Sequence, residues 1–388
     1  MKLILFLLIF LFPTNLFAKK IEVYYAGFSY LGNNESQFSG MPLTSQLIKE
    51  KKGNQNTVDF AITNKLKETV PKHFNINFDL GDTEKGKTIM MSIGISKEIF
   101  SEEYNSYTKA YNNSIGLFLE IYFYDFKEKN LIAAVPVYGE INFISEAKAD
   151  NNLKLKNLRD FYNDQLIGEN QEKIGISSKI KEILEDFELK EKYRNRIGVT
   201  KVDIEERAKS EIPGNLNLNE LKNEFAQSLS AKLSLNQKVN VVPFIEGVAI
   251  GGKMKARFVQ STEIYNISLP KPDFFIELGI SNFRKGIAET SDVSEIWQYG
   301  SAVNVKIYEP DLNKEYLNDR LIRVTNVKRA KGTDINHWGK FYYNNQLLFQ
   351  ELTLNISKPE RNWVSNTSEK REFENQLNEV NKLLEKVR

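Results

Sequence analysis

The chain has 388 residues, of which 41% are hydrophobic and 27% are charged, and its formal net charge at pH 7 is +2. This composition is ordinary for a folded globular protein and argues against disorder, while so small a charge provides no strong field for nucleic acid. The sequence contains no cysteine, which excludes a disulfide scaffold, thiol chemistry and zinc–thiolate sites.

Residues 1–18 have the pattern of a secretory signal peptide. Lys2 is basic, residues 3–12 are an unbroken apolar run, Pro13 breaks the run, and Ala18 is a small residue at the cleavage position. A run of about ten residues is too short to cross a bilayer as a helix, which disfavours the alternative of an uncleaved anchor. Because exported eukaryotic domains usually carry disulfides, we expect a periplasmic protein with no transmembrane segment after cleavage near Ala18.

The first half of the exported chain predicts a mixture of strands and helices. β-branched and aromatic residues predict a strand at 21–28, and the polar residues 31–56, with three glycines, predict a long loop. Residues 58–70 have helical spacing, with Thr57 as the predicted N-cap. Further strands are predicted at 74–80, twice within 88–124, and at 131–144, and further helices at 153–166 and 177–196.

The second half repeats this plan. Residues 271–308 match residues 88–124, and Gly279-Ile280-Ser281 corresponds to Gly94-Ile95-Ser96 at an offset of about 185 residues. We therefore predict two divergent copies of one domain, at 19–197 and 198–388, against the alternatives of two unrelated folds or one continuous domain. The second copy has a predicted helix at 219–233, strands at 239–244, 273–283, 297–308 and 316–327, a connection or edge strand at 253–269, and an irregular charged segment before it at 194–217.

The C-terminal residues 365–388 predict an amphipathic helix. Its apolar residues are spaced alternately by four and three, but this seam lasts barely two heptads, and a coiled coil usually needs three or four. We therefore expect a helix laid on its own domain rather than a partner-binding helix. The seam consists of Phe373, Leu377, Val380, Leu384 and Val387.

The predicted element order gives an α+β fold with two tandem copies of a mostly antiparallel sheet, each covered by helices on one face. The segments IEVYYAGF and VDFAITNKLKETV, a strand ending in IGIS or LGIS, and LEIYFYD or VNVKIYE before a hairpin resemble a small periplasmic α/β domain. That domain occurs in the N-terminal part of the Tol translocation protein, in the curli secretion lipoprotein, in penicillin-binding-protein activator lipoproteins and in a flagellar assembly protein. The lipoprotein members carry a lipid-bearing cysteine that this chain lacks.

That resemblance implies a non-enzymatic periplasmic part that docks on envelope proteins or on its own copies, with no catalytic residue and no cofactor. The residues themselves agree, since no phosphate-loop, dinucleotide, metalloprotease or nucleophile-elbow motif occurs. The two histidines, His73 and His337, lack a neighbouring ligand set. Strand alternation predicts that Glu120 and Glu277 face water. We predict no metal site.

Aromatic residues form the candidate interaction site. Exposed tyrosine and tryptophan at a loop tip are typical of a contact surface, although cross-strand pairing within a hairpin is the alternative. The candidates in the first copy are Tyr104, Tyr107 and Tyr111, and those in the second are Trp297 and Tyr299.

Three functions remain open from the sequence. The first is a module that docks on a cell-envelope machine or on further copies of itself, with no nucleic-acid partner. The second is a ligand-binding protein with a site between the two copies, where duplicated domains often place one. The third and weakest is a hydrolase that uses a carboxylate pair.

Overall fold

The computed structural model describes residues 20–32, 40–52, 55–80, 88–105, 108–167, 173–190, 193, 195–260, 264–331 and 336–388. The elements of the first half are β1 (Ile21–Leu31), α1 (Pro42–Lys49), β2 (Lys51–Lys52), β3 (Gln55–Asn56), α2 (Thr57–Lys67), β4 (Phe74–Asn77), β5 (Ile89–Asn105), β6 (Ala110–Asp125), β7 (Leu131–Ser145), α3 (Asn151–Tyr162), β8 (Leu166–Ile167), β9 (Lys173–Ile174) and α4 (Ile176–Asp186). Those of the second half are β10 (Ile197–Ile204), α5 (Glu206–Lys209), α6 (Leu218–Gln237), β11 (Val241–Val242), β12 (Lys253–Phe258), β13 (Ile264–Ser268), β14 (Phe274–Thr290), β15 (Ser294–Glu309), β16 (Lys314–Ala330), α7 (His337–Asn355), α8 (Arg361–Thr367) and α9 (Phe373–Val387).

Each half contains a sheet of the same topology. The first sheet has the order β4-β1-β5-β6-β7 and the second has the order β11-β10-β14-β15-β16. In both sheets the first strand of the half is parallel to its two neighbours from the same half, and the three long strands that follow pair antiparallel. The predicted α+β fold with two copies is confirmed.

A matching irregularity supports the equivalence of the two sheets. A β-bulge follows Ile95 in β5 and Ile280 in β14. The bulged residue is a serine in both, and its hydroxyl donates to a carbonyl of the neighbouring strand, at 3.1 Å from Ser96 to Phe118 and at 3.0 Å from Ser281 to Ala302. The Gly-Ile-Ser match of the sequence therefore marks one structural feature, the bulge that re-aims the strand.

A hairpin from the second half completes the first sheet. β12 pairs antiparallel with the end of β1, with Ser29 opposite Phe258, and β13 forms the outer edge. Residues 253–269 were expected to be a connection or an edge strand of the second copy, but they join the sheet of the first. The division of the chain into domains at 197/198 stays a prediction, because this hairpin crosses it.

The two sheets and their helices form alternating layers. Helices α1 to α4 pack on one face of the first sheet around one apolar core. On its other face α6 contacts β7, and the same helix contacts β10 of the second sheet. Helices α6, α7 and α9 share the core of the second sheet. Helix α6 therefore lies between the two sheets.

Several predicted elements need correction. Residues 31–56 are not one loop, because α1 lies within them, and residues 194–217 are not irregular, because they contain β10. The N-cap of α2 is Asn56 rather than Thr57, since its side-chain oxygen accepts from the backbone NH of Asp59 at 2.8 Å. The C-terminal helix α9 buries its apolar seam in the second core, as expected.

The predicted signal peptide, residues 1–18, lies outside the described residues. Across the described ranges, no helix is both long enough and apolar enough to cross a membrane.

Candidate functional site

A cavity of about 1220 Å³ lies between the two halves of the chain. Strands β5, β6 and β7 form one wall, and helices α6 and α7 form the other. Lys97, Phe118 and Tyr138 stand opposite one another on the three strands, so their side chains emerge from the same face of the sheet, toward the helices. The volume is sufficient for a small organic ligand.

The inner end of the cavity consists of Tyr138, Lys232, Tyr342 and Gln346. The Lys232 amine donates to the side-chain oxygen of Gln346 at 2.7 Å and to the Ser228 hydroxyl at 2.8 Å. It also lies 5.4 Å from the centroid of the Tyr138 ring. A polar group is thus held at the back of the cavity by contacts from both of its walls.

Burial changes the protonation of Lys232. The pKa of this amine falls to about 7, first because burial removes it from water and second because the cation of Lys179 is nearby, and the Glu140 carboxylate raises it only in part. Among the described residues, no carboxylate lies within ion-pairing distance of it. Lys232 therefore changes its charge near neutral pH, unlike an ordinary surface lysine.

A buried acid on the same helix shows the opposite shift. Burial raises the pKa of Glu224 to about 7, and the nearby ammonium of Lys97, at 3.4 Å, lowers it only in part. Lys97 also pairs with Glu220. These three side chains form an ion-paired group between the first sheet and α6.

Glu140 is the second acid of the cavity wall. Its carboxylate accepts from the Tyr138 hydroxyl at 2.5 Å and from the Ser114 hydroxyl at 2.6 Å. Burial, and after it the Glu140 carboxylate, raises the pKa of Tyr138. Within the part of the chain that the structure covers, no lysine or arginine pairs with Glu140.

The mouth of the cavity is apolar and exposed. It consists of Ile144, Leu216 and Tyr343, which are 71%, 37% and 58% exposed. Exposed apolar side chains that gather at one opening are typical of a binding site rather than of ordinary surface. The cavity therefore runs from an apolar mouth to a polar inner end.

The hydrogen bonds of Lys232 and Glu140 lead to hydroxyl and amide groups. Over the described ranges, no group of three or more His, Asp or Glu side chains is placed to hold a metal ion.

The structure separates the predicted aromatic residues into exposed and buried ones. Tyr104 is 48% exposed and stands opposite Tyr111, with ring centroids 5.1 Å apart. This is the cross-strand pair given as the alternative, and the exposed ring leaves a contact role open as a prediction. Tyr107 lies outside the described residues.

The aromatic residues of the second copy are held by their neighbours. Tyr299 is fully buried, and its hydroxyl lies 2.9 Å from Nδ1 of His337, so the expectation that it is exposed at a loop tip is wrong. Trp297 is half-buried, donates to Glu295 at 2.9 Å and lies under the Arg329 guanidinium. The reason is that α7 covers this part of β15.

The prediction from strand alternation is also wrong for the exposure of one acid. Glu120 was expected to face water, but it is 4% exposed, because α6 and the β12–β13 hairpin cover the face of β6 that alternation would leave open. Burial raises the pKa of Glu120 to about 8. Glu277, on β14 of the second sheet, is half-buried and accepts from the Tyr308 hydroxyl at 2.8 Å.

Sequence reasoning missed the cavity residues because they form no local motif. One signal was present: polar residues recur every fourth position along α6, which places them on one face of the helix. That face is turned to the first sheet. The residues are Glu220, Glu224, Ser228 and Lys232.

Comparison with known proteins gives little. No family model matches the sequence, and no curated protein matches it. One structural similarity is to protein XCC0632 from Xanthomonas campestris, described as DUF330, at 10% identity and a TM-score of 0.20, over 42% of this chain and 81% of that chain. A similarity of this size carries no conclusion about the chain.

Proposed function

We propose that this protein binds a small ligand in the cavity between its two halves and has no enzymatic activity of its own. The observation that carries the proposal is the cavity itself, with its apolar exposed mouth and its buried polar inner end. Binding sites are commonly concave, mostly apolar, and supplied with a few fixed polar groups.

The proposal is tested by recovering the ligand. Protein purified from its native host without detergent is denatured, and the small molecules released are identified by mass spectrometry. Leu347 lines the cavity from α7, whereas Leu354, two turns further along the same helix, does not and is 50% exposed. Leu347→Trp should therefore release less ligand than the wild type, and Leu354→Trp should release the same amount. Equal yields from both variants and from an unrelated protein would exclude the cavity as the site.

We also propose that the protein is exported and acts in the periplasm, without a cofactor. The N-terminal charge and apolar pattern of residues 1–18 supports this. N-terminal sequencing of the mature protein should begin at Lys19. A mature chain that still begins at Met1, recovered from the cytoplasm, would overturn the proposal.

A second function, docking on an envelope protein or on another copy of this chain, is favoured by one observation. Tyr104 and Ile144 are both exposed near the outer end of the β5–β6–β7 meander. A photo-cross-linking residue at position 104 should capture a partner in intact cells. The same residue at position 312, where Leu312 is 68% exposed in the β15–β16 turn, should not. Equal capture at both positions would count against a specific docking surface.

A further inference from the structure

Three hydrogen-bond donors converge at the inner end of the cavity. The Lys232 amine donates to the side-chain oxygen of Gln346, and this contact fixes the orientation of the amide, so its nitrogen must point the other way. That nitrogen lies near the Tyr342 hydroxyl, close enough that Gln346 lowers the pKa of this phenol against the larger effect of burial. Residues 342 and 346 are one helical turn apart and share a face of α7.

Two of these groups have hydrogen-bonding capacity left over. The Gln346 side-chain nitrogen and the Tyr342 hydroxyl are buried, and apart from the contact of these two groups with each other, neither has a hydrogen-bond partner in the described portion of the chain. Buried polar groups are normally hydrogen-bonded, and leaving one unsatisfied costs free energy. A ligand group that accepts from both would remove that cost.

At the inner end Lys232 has no carboxylate within ion-pairing distance among the described residues, although the Glu140 carboxylate is near enough to raise the pKa of its amine against the effect of burial. Glu220 and Glu224 pair with Lys97, and Glu140 is held by Tyr138 and Ser114. Lys179, the other buried amine nearby, donates to the backbone carbonyl of Tyr138 at 2.6 Å. Only Lys232 among these lysines both reaches the cavity and contacts solely neutral side-chain oxygens.

We propose that Lys232, Gln346 and Tyr342 bind the carboxylate of an amphipathic monocarboxylic acid whose apolar part extends toward Ile144, Leu216 and Tyr343. The three donors match an acceptor with two oxygens, and the ammonium supplies one positive charge. A dianion such as phosphate is disfavoured, because the carboxylates of Glu140 and Glu224 line the same cavity and repel a second negative charge. This inference rests on the proposed ligand-binding function and specifies its ligand class.

Binding should be coupled to proton uptake. A carboxylate placed beside Lys232 favours the ammonium form and raises the pKa of this amine, which burial otherwise lowers to about 7. Above neutral pH Lys232 is mostly neutral before binding, so binding should take up protons, and Glu224, whose pKa burial also brings to about 7, contributes to this uptake. Calorimetry in two buffers of different ionisation enthalpy measures the number of protons taken up.

The experiment is titration calorimetry of the full mature chain with sodium octanoate as the probe, 1-octanol as its neutral analogue and octyl phosphate as the dianion. Lys232→Met keeps an unbranched chain of four heavy atoms and removes the terminal amine, and loss of a charge-assisted hydrogen bond should weaken octanoate binding about ten- to a hundredfold. The matched control is Lys222→Met on the same helix, since Lys222 is ion-paired with Glu246 at 2.9 Å and lies outside the cavity. It should leave octanoate affinity unchanged.

Other outcomes separate the two proposals. If octanol binds and octanoate binds no better, or if octanoate affinity is unaffected by Lys232→Met, the carboxylate site is excluded and the ligand-binding function stands. Tighter binding of octyl phosphate than of octanoate would also exclude a monocarboxylate site. If none of the three probes binds and no ligand is recovered from the native protein, both proposals fail.

Discussion

Glu120 shows what burial does to a single acid. Its side chain is almost fully enclosed between the first sheet and the second half of the chain, and one carboxylate oxygen, Oε1, has no partner among the described residues. Burial raises its pKa to about 8. The acid is therefore neutral at pH 7, which is the state that a dry interface tolerates.

This shift makes the stability of the protein depend on pH. A raised pKa means that the folded chain holds the proton more tightly than the unfolded chain, so the contribution of Glu120 to stability is present at low pH. It is lost as the pH rises from about 4.5 to about 8. Glu120→Gln should remove this loss and raise the free energy of unfolding at pH 9 by a few kcal/mol, with little change at pH 4.

Urea unfolding at pH 4, 7 and 9 measures this difference. The control is Glu277→Gln, because Glu277 is half-buried in the second sheet and no comparable burial cost applies to it. A wild type and a Glu120→Gln variant whose difference is constant with pH would show that Glu120 is ionised in the folded protein.

At the level of the strand, β6 and β15 occupy equivalent places in the two sheets but differ in residue type, because β6 is covered on both faces and β15 is not. β6 is covered on both faces, and it is apolar along nearly its whole second half, with Tyr122 fully buried and 2.9 Å from the Ser29 hydroxyl. β15 occupies the same place in the second sheet, but one of its faces is open. Lys306 stands there in the position of Tyr122 and pairs with Glu315 at 2.5 Å.

Exchanging these two residue types should therefore have unequal effects. Tyr122→Lys places a charged amine in a closed interface without a counter-ion and should lower the free energy of unfolding by about 3 kcal/mol or more. Lys306→Tyr alters an exposed pair and should change it by less than about 1 kcal/mol. Thermal or urea unfolding of both variants tests the difference, and equal losses would contradict the layer arrangement.

Much of the fold could be predicted from the sequence, because it depends on local periodicity. The helix α2, the long strands β5 to β7 and β14 to β16, the amphipathic α9 and the matched Gly-Ile-Ser segments all carry their signal within a short window. Helix α1 was missed because the glycines of the surrounding segment indicated a loop, and β10 was missed because its charged flanks hid eight residues of strand.

The candidate site could not be predicted in the same way. Its polar residues come from β7, α6 and α7, and what makes them unusual is burial against the other half of the chain, which no local pattern records. Residues 161–166 and 342–347 also match in sequence, at four of six positions, but this match does not indicate burial. It aligns the buried Tyr162 of α3 with Tyr343 of α7, which is 58% exposed, because the two helices bury different faces.

For the whole molecule, the β12–β13 hairpin and α6 make the first half dependent on the second. They cover apolar side chains on the first sheet that include Met90, Tyr122 and Tyr124. Residues 20–196 expressed alone should therefore aggregate or melt without a cooperative transition, and co-expression with residues 197–388 should restore a soluble complex. Size-exclusion chromatography and circular dichroism melting test this. A monomeric fragment with a sharp melting transition would support two independent domains.

The β12–β13 hairpin also determines when the first sheet can finish folding. Strand β1 lies at the start of the chain, yet the backbone carbonyl of Phe28 is bonded at 3.0 Å by the NH of Val259. That partner leaves a ribosome or a translocation channel only after about two thirds of the chain. Until then the first sheet has an unfinished edge and an uncovered face, so both halves reach their final form together. Because apolar surface stays exposed during this interval, we expect the incomplete chain to bind a chaperone before it folds.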